Sequence, residues 1–139
     1  MELKVKRLTG DINPPAKAGD AGYDVFSTEN ISLAPGQKVT IPIGICTEFP
    51  EGYLCRVENK SGIASKTGLL CVNGIIDSSY RGEIKVIVYN LGDKIEEIQK
   101  GQKLAQLCFY KIETPAVQFV EDLSESVRGE SGFGSTGIF

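Results

Sequence analysis

Apolar runs in this chain are short, and glycine, proline, asparagine or aspartate interrupts them at close intervals. Such punctuation leaves little room for long amphipathic helices and favours many short strands joined by turns. With sixteen glycines in 139 residues, an all-β architecture is expected, and the length suits one domain that buries a core without staples. Leu3 and Val5 alternate with lysines in a first strand, and residues 9–22 then turn polar and rich in glycine and proline. Ile31 to Leu33, the turn Ala34-Pro35-Gly36, and Val39 to Ile45 read as strand, turn, strand. Pro42 places the second of these at an edge or a bulge, because proline cannot donate to a ladder. Tyr53 to Val57 alternates again, and Ile84 to Tyr89 reads as a strand buried on both faces. Residues 100–112 and Val117 to Val120 complete the strand candidates. The only helix expected is one or two turns opening near Ser61.

Several classes of function are excluded by composition. A net charge of −3 provides no basic surplus for coating nucleic acid. No segment approaches the roughly 18–20 apolar residues of a membrane span. The start, MELKVKRL, has no apolar core after its charges and so is not a signal peptide. No histidine is present, which removes the usual general base, the usual zinc ligand and every Ser-His or Cys-His device. Cys46, Cys55, Cys71 and Cys108 are widely spaced without a CxxC pair, and read as buried, reduced thiols of a cytoplasmic protein rather than disulfides.

Residues 72–86, VNGIIDSSYRGEIKV, carry the acid of greatest interest. Asn73-Gly74 is a hairpin signal, since a tight primed turn needs positive φ. Asp77 follows Ile75 and Ile76 and precedes a second bend, where a loop can present it to a ligand. Burial there would raise its pKa unless donors or a metal opposed the shift. The alternative is that Asp77 caps a turn with its own backbone.

Other patches have similar double readings. In AGDAGYD, residues 18–24, two acids stand among small residues and could face a metal or form a plain loop. Lys60, Ser61 and the amides after Gly62 could make an anion-binding helix start, or Ser61 could simply be an N-cap. Gln106 is a polar residue inside an apolar strand and needs partners, structural or ligand. The closing RGESGFGSTGIF has the composition of a flexible tail. It also holds Arg128, Ser135 and Thr136 as phosphate donors and Phe133 as a stacking ring.

The order of these patches is more specific than any one of them. AGDAGYD, KSGIASKTGL, GIIDSSYRGEI, GQKLAQL and RGESGFGSTG follow one another as the five motifs of the trimeric dUTPases do, and the chain resembles that family from first strand to tail. The resemblance implies a jelly-roll-like β barrel over residues 1–127, with one short helix, and a glycine-rich arm, 128–139, exchanged between subunits. It implies a homotrimer that hydrolyses dUTP to dUMP and pyrophosphate with Mg²⁺, limiting uracil in DNA and supplying dUMP for dTMP synthesis. A cytoplasmic location is implied, or the nucleus or cytoplasm of a host if the source is viral. By the resemblance, Asp77 would orient and deprotonate the attacking water and hydrogen-bond the deoxyribose 3′-hydroxyl, and Tyr80 would lie under the sugar and exclude a 2′-hydroxyl. The backbone of Asn73, Gly74 and Ile75 would pair with uracil. Lys60, Ser61, Gly62 and Gln106 would hold phosphates and the water, and Asp24 would reach the metal through water. Arg128, Phe133, Gly134, Ser135 and Thr136 would close from a neighbouring subunit.

Phosphoryl transfer asks for positioning and charge neutralisation more than covalent help, so these residues suffice without histidine. Two positions depart from the family pattern. Lys60 stands where arginine is usual, replacing a bidentate clamp by a point charge, and Ser131 replaces a common glycine. A dCTP deaminase or bifunctional deaminase–diphosphatase on the same fold, and a trimeric binding protein without turnover, are the competing expectations.

Overall fold

A computed structural model describes residues 1–15 and 17–139. The chain is a jelly-roll-like β barrel. Its strands are β1 Lys4–Arg7, β2 Ile12–Asn13, β3 Tyr23–Phe26, β4 Ile31–Leu33, β5 Lys38–Pro42, β6 Ile45–Glu48 and β7 Tyr53–Glu58. One helix, α1 Ser61–Lys66, precedes β8 Leu69–Cys71, β9 Ile75–Asp77, β10 Lys85–Asn90, β11 Glu96–Ile98 and β12 Lys103–Lys111. Sheet orders are β2-β3-β12-β7-β9, β5-β10-β8, β1-β6 and β11-β4, and every pairing is antiparallel.

Alternation explains the core. Along β10, Val86, Val88 and Asn90 point inward while Lys85 is exposed and Ile87 and Tyr89 are half-buried. The strand read as buried on both faces is therefore buried on one within this chain. Val25, Ile41, Ile43, Ile45, Val86 and Leu107 are fully buried in one cluster. Each such side chain contributes roughly 1.5–3 kcal/mol. An exposed ion pair contributes about 0–1 kcal/mol, so apolar packing rather than surface charge fixes the strands that carry the site. Pro42 ends β5 at the edge of its three-stranded sheet, where the missing N–H costs no ladder bond. Cys55 and Cys108 are buried, Cys46 and Cys71 half-buried, and all four are free thiols. Burial pushes Cys55 up to about 12 and Cys71 up to about 11, which makes both poor nucleophiles near neutrality.

Two further sequence expectations fail. Asn73-Gly74 is not a primed hairpin turn. Neither residue has positive φ, and the flanking strands join different sheets, β8 pairing with β10 and β9 with β7. The reason lies in the Asn73 amide. It donates to the Lys85 carbonyl (2.9 Å) and accepts from the Ile87 N–H (2.7 Å), tying the chain to β10 as it crosses over. Val117–Val120 forms no strand: from Glu113 to Phe139 no strand or helix is present, and the side chains stand exposed. Val117, Phe119 and Val120 have a strand-like pattern but no neighbouring strand in their own chain to pair with.

Candidate active site

One cavity gathers Asp20, Ala21, Gly22 and Asp24 with Lys60, Ser61, Gly62 and Gln106. Three separate motifs therefore meet. The meeting follows from strand register, because Gln106 on β12 lies opposite Asp24 on β3 and Glu58 on β7, and α1 starts just after β7. At the helix start Lys60, not Ser61, occupies the N-cap position, with extended backbone and no side-chain cap. The reading of Ser61 as an N-cap is thereby corrected. The Ile63 N–H already donates to the Lys60 carbonyl at 3.1 Å, which leaves the Ser61 and Gly62 N–H groups as the ones without an intrahelical acceptor and available to an anion. Nothing lies within 4 Å of where a Cβ on Gly62 would sit, so the approach is open.

Asp24 is held by two cations, Lys60 Nζ at 2.5 Å and Lys103 Nζ at 3.2 Å. Burial pushes its carboxyl up, but hydrogen bonds and charge from the two lysines together outweigh that and hold it below the usual aspartate range. This pair therefore adds stability above the unfolded aspartate pKa and loses it as pH falls through the lowered folded value. Lys103 has no place among the sequence-derived candidates, since one lysine in a lysine-rich stretch carries no distinguishing signal.

Gln106 is fixed by contacts that spacing could not reveal. Its Nε2 donates to the Asn59 carbonyl at 3.0 Å. Asn59 is itself clamped on β8, accepting from the Cys71 N–H at 2.7 Å and donating to the Cys71 carbonyl at 3.3 Å. On its other side, Gly22 leaves room: a Cβ there would sit 1.9 Å from Gln106 Oε1 and 2.9 Å from its Cβ. Gly22→Ala must therefore displace the carboxamide and some backbone. It should destabilise the chain by about 1–3 kcal/mol as an overpacked site. Gly62→Ala, helical and with open space around it, should instead stabilise by up to about 1 kcal/mol. Thermal melts of the two variants check this.

A second cavity is lined by Ile75, Ile76, Asp77, Tyr80, Glu83, Ile84 and Lys85. Asp77 is exposed in this chain, contrary to the expected burial. Nor does it cap its turn: the Tyr80 N–H donates to the Asp77 main-chain carbonyl at 3.1 Å, and among the described residues the carboxylate has no hydrogen-bond partner. The turn is closed by backbone, and the carboxylate is left over for other work. Arg81 tightens the loop by donating to the Ser78 carbonyl at 2.7 Å. A Cβ on Gly82 would fall 2.4–2.9 Å from the Tyr80 ring and hydroxyl, so this glycine is the seat of the ring. Gly74 is open on its Cβ side, leaving the main chain of 73–75 approachable.

The two cavities are separate. Asp77 lies opposite Leu54 and Gln106 opposite Glu58, on strands flanking β7. Four residues along β7 and two strand spacings across it place Asp77 and Gln106 about 16 Å apart. One chain does not bring them to a common water. The arm residues stand apart from both. Arg128 turns back on its own loop, its Nε donating to the Ser131 carbonyl at 2.6 Å. Phe133 is fully exposed with a left-handed φ of 48°, next to Gly134 at 94°. Ser135 and Thr136 are exposed.

These features describe a β barrel that offers an anion cradle, a detached carboxylate and tyrosine, and a loose glycine-rich arm, a combination suited to a nucleotide phosphate ester. Comparison with known proteins narrows the class. The dUTPase family model matches residues 9–137. The deoxyuridine 5'-triphosphate nucleotidohydrolase of Zymomonas mobilis is 41% identical over 99% of each chain. A Staphylococcus bacteriophage 80alpha dUTPase solved with dUpNHpp superposes with a TM-score of 0.93 at 32% identity, covering 99% of both chains. A variant dUTPase from phage phi11 of S. aureus, described as revealing the coordination of a structural Mg(II) ion, gives a TM-score of 0.80 at 30% identity over 88% of this chain and 98% of that one. The chain belongs to the dUTPase family.

Proposed function

We propose that this protein hydrolyses dUTP to dUMP and pyrophosphate, at sites assembled from more than one copy of the chain in a homotrimer. The observation that carries this is the division of the machinery: a free carboxylate beside Tyr80 in one cavity, and the cradle of Lys60, Ser61, Gly62 and Gln106 in another about 16 Å away. A second copy that sets its Asp77 cavity against the cradle of the first joins the two halves.

In that arrangement Asp77 takes a proton from water as the water oxygen bonds to phosphorus, and the bridging oxygen leaves with pyrophosphate. The cradle supplies donors to the phosphates and Gln106 helps hold the water. Tyr80 lies against the deoxyribose, and the main chain of Asn73, Gly74 and Ile75 faces the uracil edge. The arm brings Phe133 over the base, while Arg128, Gly134, Ser135 and Thr136 reach the outer phosphates. The exposed span from Glu113 to Val127, without strand or helix, gives this arm its reach.

Magnesium fits as a partner of the triphosphate rather than of a protein cage. Among the described residues no three Asp, Glu or Cys side chains converge on a metal position, and Mg²⁺ commonly uses one or two carboxylates with substrate phosphates and water. Of the two carboxylates that line the cradle cavity, Asp20 and Asp24, it is Asp24 that would reach the ion through water. When bound, the ion neutralises phosphate charge. Among the described residues no helix is long and apolar enough to cross a membrane.

A panel of deoxynucleoside triphosphates, read for pyrophosphate and ammonia with and without Mg²⁺, tests the activity. Pyrophosphate from dUTP alone is the expected result. Ammonia from dCTP would favour the deaminase, and binding without products would favour a regulatory protein.

A further inference from the structure

Glu83 lines the Asp77–Tyr80 cavity, and its side chain reaches the main chain at Gly44. Its Oε2 accepts the Gly44 N–H at 3.0 Å. Gly44 belongs to a rigid knot of main chain. Its φ is +72°, and its carbonyl accepts N–H groups from Leu8, Thr9 and Gly10 at 2.7, 3.2 and 3.1 Å. A Cβ on Gly10 would fall 1.9 Å from the Ile43 carbonyl oxygen and one on Gly44 2.2 Å from the Gly10 nitrogen, so the two segments pack backbone against backbone. The next residue is fixed as firmly, with Ile84 N–H donating to Ile45 and Ile84 carbonyl accepting from Ile43, both at 3.0 Å. Among the described residues no lysine or arginine pairs with Glu83, so the carboxylate's partner is this amide.

The Tyr80 hydroxyl donates to the main-chain carbonyl of this same Glu83, at 2.9 Å. Tyr80 is thus held at its base by the Asp77 carbonyl, along its ring by Gly82, and at its tip by a carbonyl whose residue is moored to Gly44. From this continuous path we infer that Glu83 is a positioning residue for sugar selection: it fixes the Glu83 carbonyl, hence the Tyr80 hydroxyl, hence the ring that meets the 2' position of the sugar. The inference rests on the proposed dUTP hydrolysis and on Tyr80 as the sugar-facing side chain.

The test is the ratio of kcat/KM for dUTP to that for UTP. Glu83→Ala should lower this ratio about tenfold, the scale of losing one hydrogen-bonded constraint, while thermal unfolding stays cooperative. Glu83→Gln, whose amide oxygen can still accept from Gly44, should restore the wild-type ratio. Tyr80→Phe breaks the same path at its other end and should lower the ratio similarly, and the double variant should lose no more than either single one. Unchanged discrimination in Glu83→Ala, or additive losses in the double variant, would overturn the inference. If Glu83→Ala does not fold, an unchanged ratio in Tyr80→Phe overturns it alone. A wild-type chain inactive on dUTP would defeat the functional reading and this inference together, whereas an active wild type with unaltered selectivity in the variants defeats only the inference.

Discussion

Asp77→Asn should reduce dUTP turnover by about a thousandfold while leaving nucleotide affinity within a few-fold of wild type. A positioned general base contributes about 10²–10⁴ in rate. Asparagine keeps the size and polarity of the side chain but cannot accept the proton from water. The substitution should also be silent in stability. Asp77 is exposed, its turn is closed by a main-chain bond from Tyr80, and its carboxylate has no hydrogen-bond partner among the described residues. Single-turnover pyrophosphate release and titration with a non-hydrolysable dUTP analogue separate the two effects. Full turnover in the variant would remove Asp77 from the chemistry.

Deleting residues 128–139 should have the second largest effect. None of these residues lies in the buried core, and β12, the last element of the barrel, ends at Lys111. The deletion should therefore leave the melting temperature and the oligomeric state unchanged. Catalysis should nevertheless fall by at least about a hundredfold, since removing even one donor that stabilises developing charge costs about 10²–10³. Here Arg128, Ser135, Thr136 and the amides around Gly134 leave together, along with the Phe133 ring. A truncated chain with wild-type kcat/KM would show that the arm does not close over the site.

Much of the site was legible because each motif keeps its chemistry in a few adjacent residues. Lys60, Ser61 and Gly62 stand together at the start of α1, and strand register sets Gln106 opposite Asp24 across β12 and β3. Pro42 marked a sheet edge for the reason that proline always does. What escaped the sequence is close approach between segments distant along the chain. Nothing in the letters around Gly22 indicates that Gln106 occupies the space of its missing side chain, or that Gly82 seats the Tyr80 ring. Asn59, Lys103 and Glu83 are likewise ordinary polar residues until register places them beside Gln106, Asp24 and Gly44. Asn73-Gly74 misled because local turn preference lost to a tertiary contact, with the Asn73 amide bonded to β10. Val117 to Val120 misled for the opposite reason: strand propensity has no effect on a segment that pairs with no strand of its own chain.

The shared site is tested most directly by co-expressing Asp77→Asn chains with Gln106→Ala chains, each nearly inactive alone. If each site takes Asp77 from one copy and Gln106 from another, every mixed trimer regains one intact site in three. Random assembly of equal amounts makes three quarters of the trimers mixed, so activity should return to about a quarter of wild type in a cyclic homotrimer. Activity no greater than the sum of the two variants, in verified mixed trimers, would place both residues in a single chain's site and contradict the account.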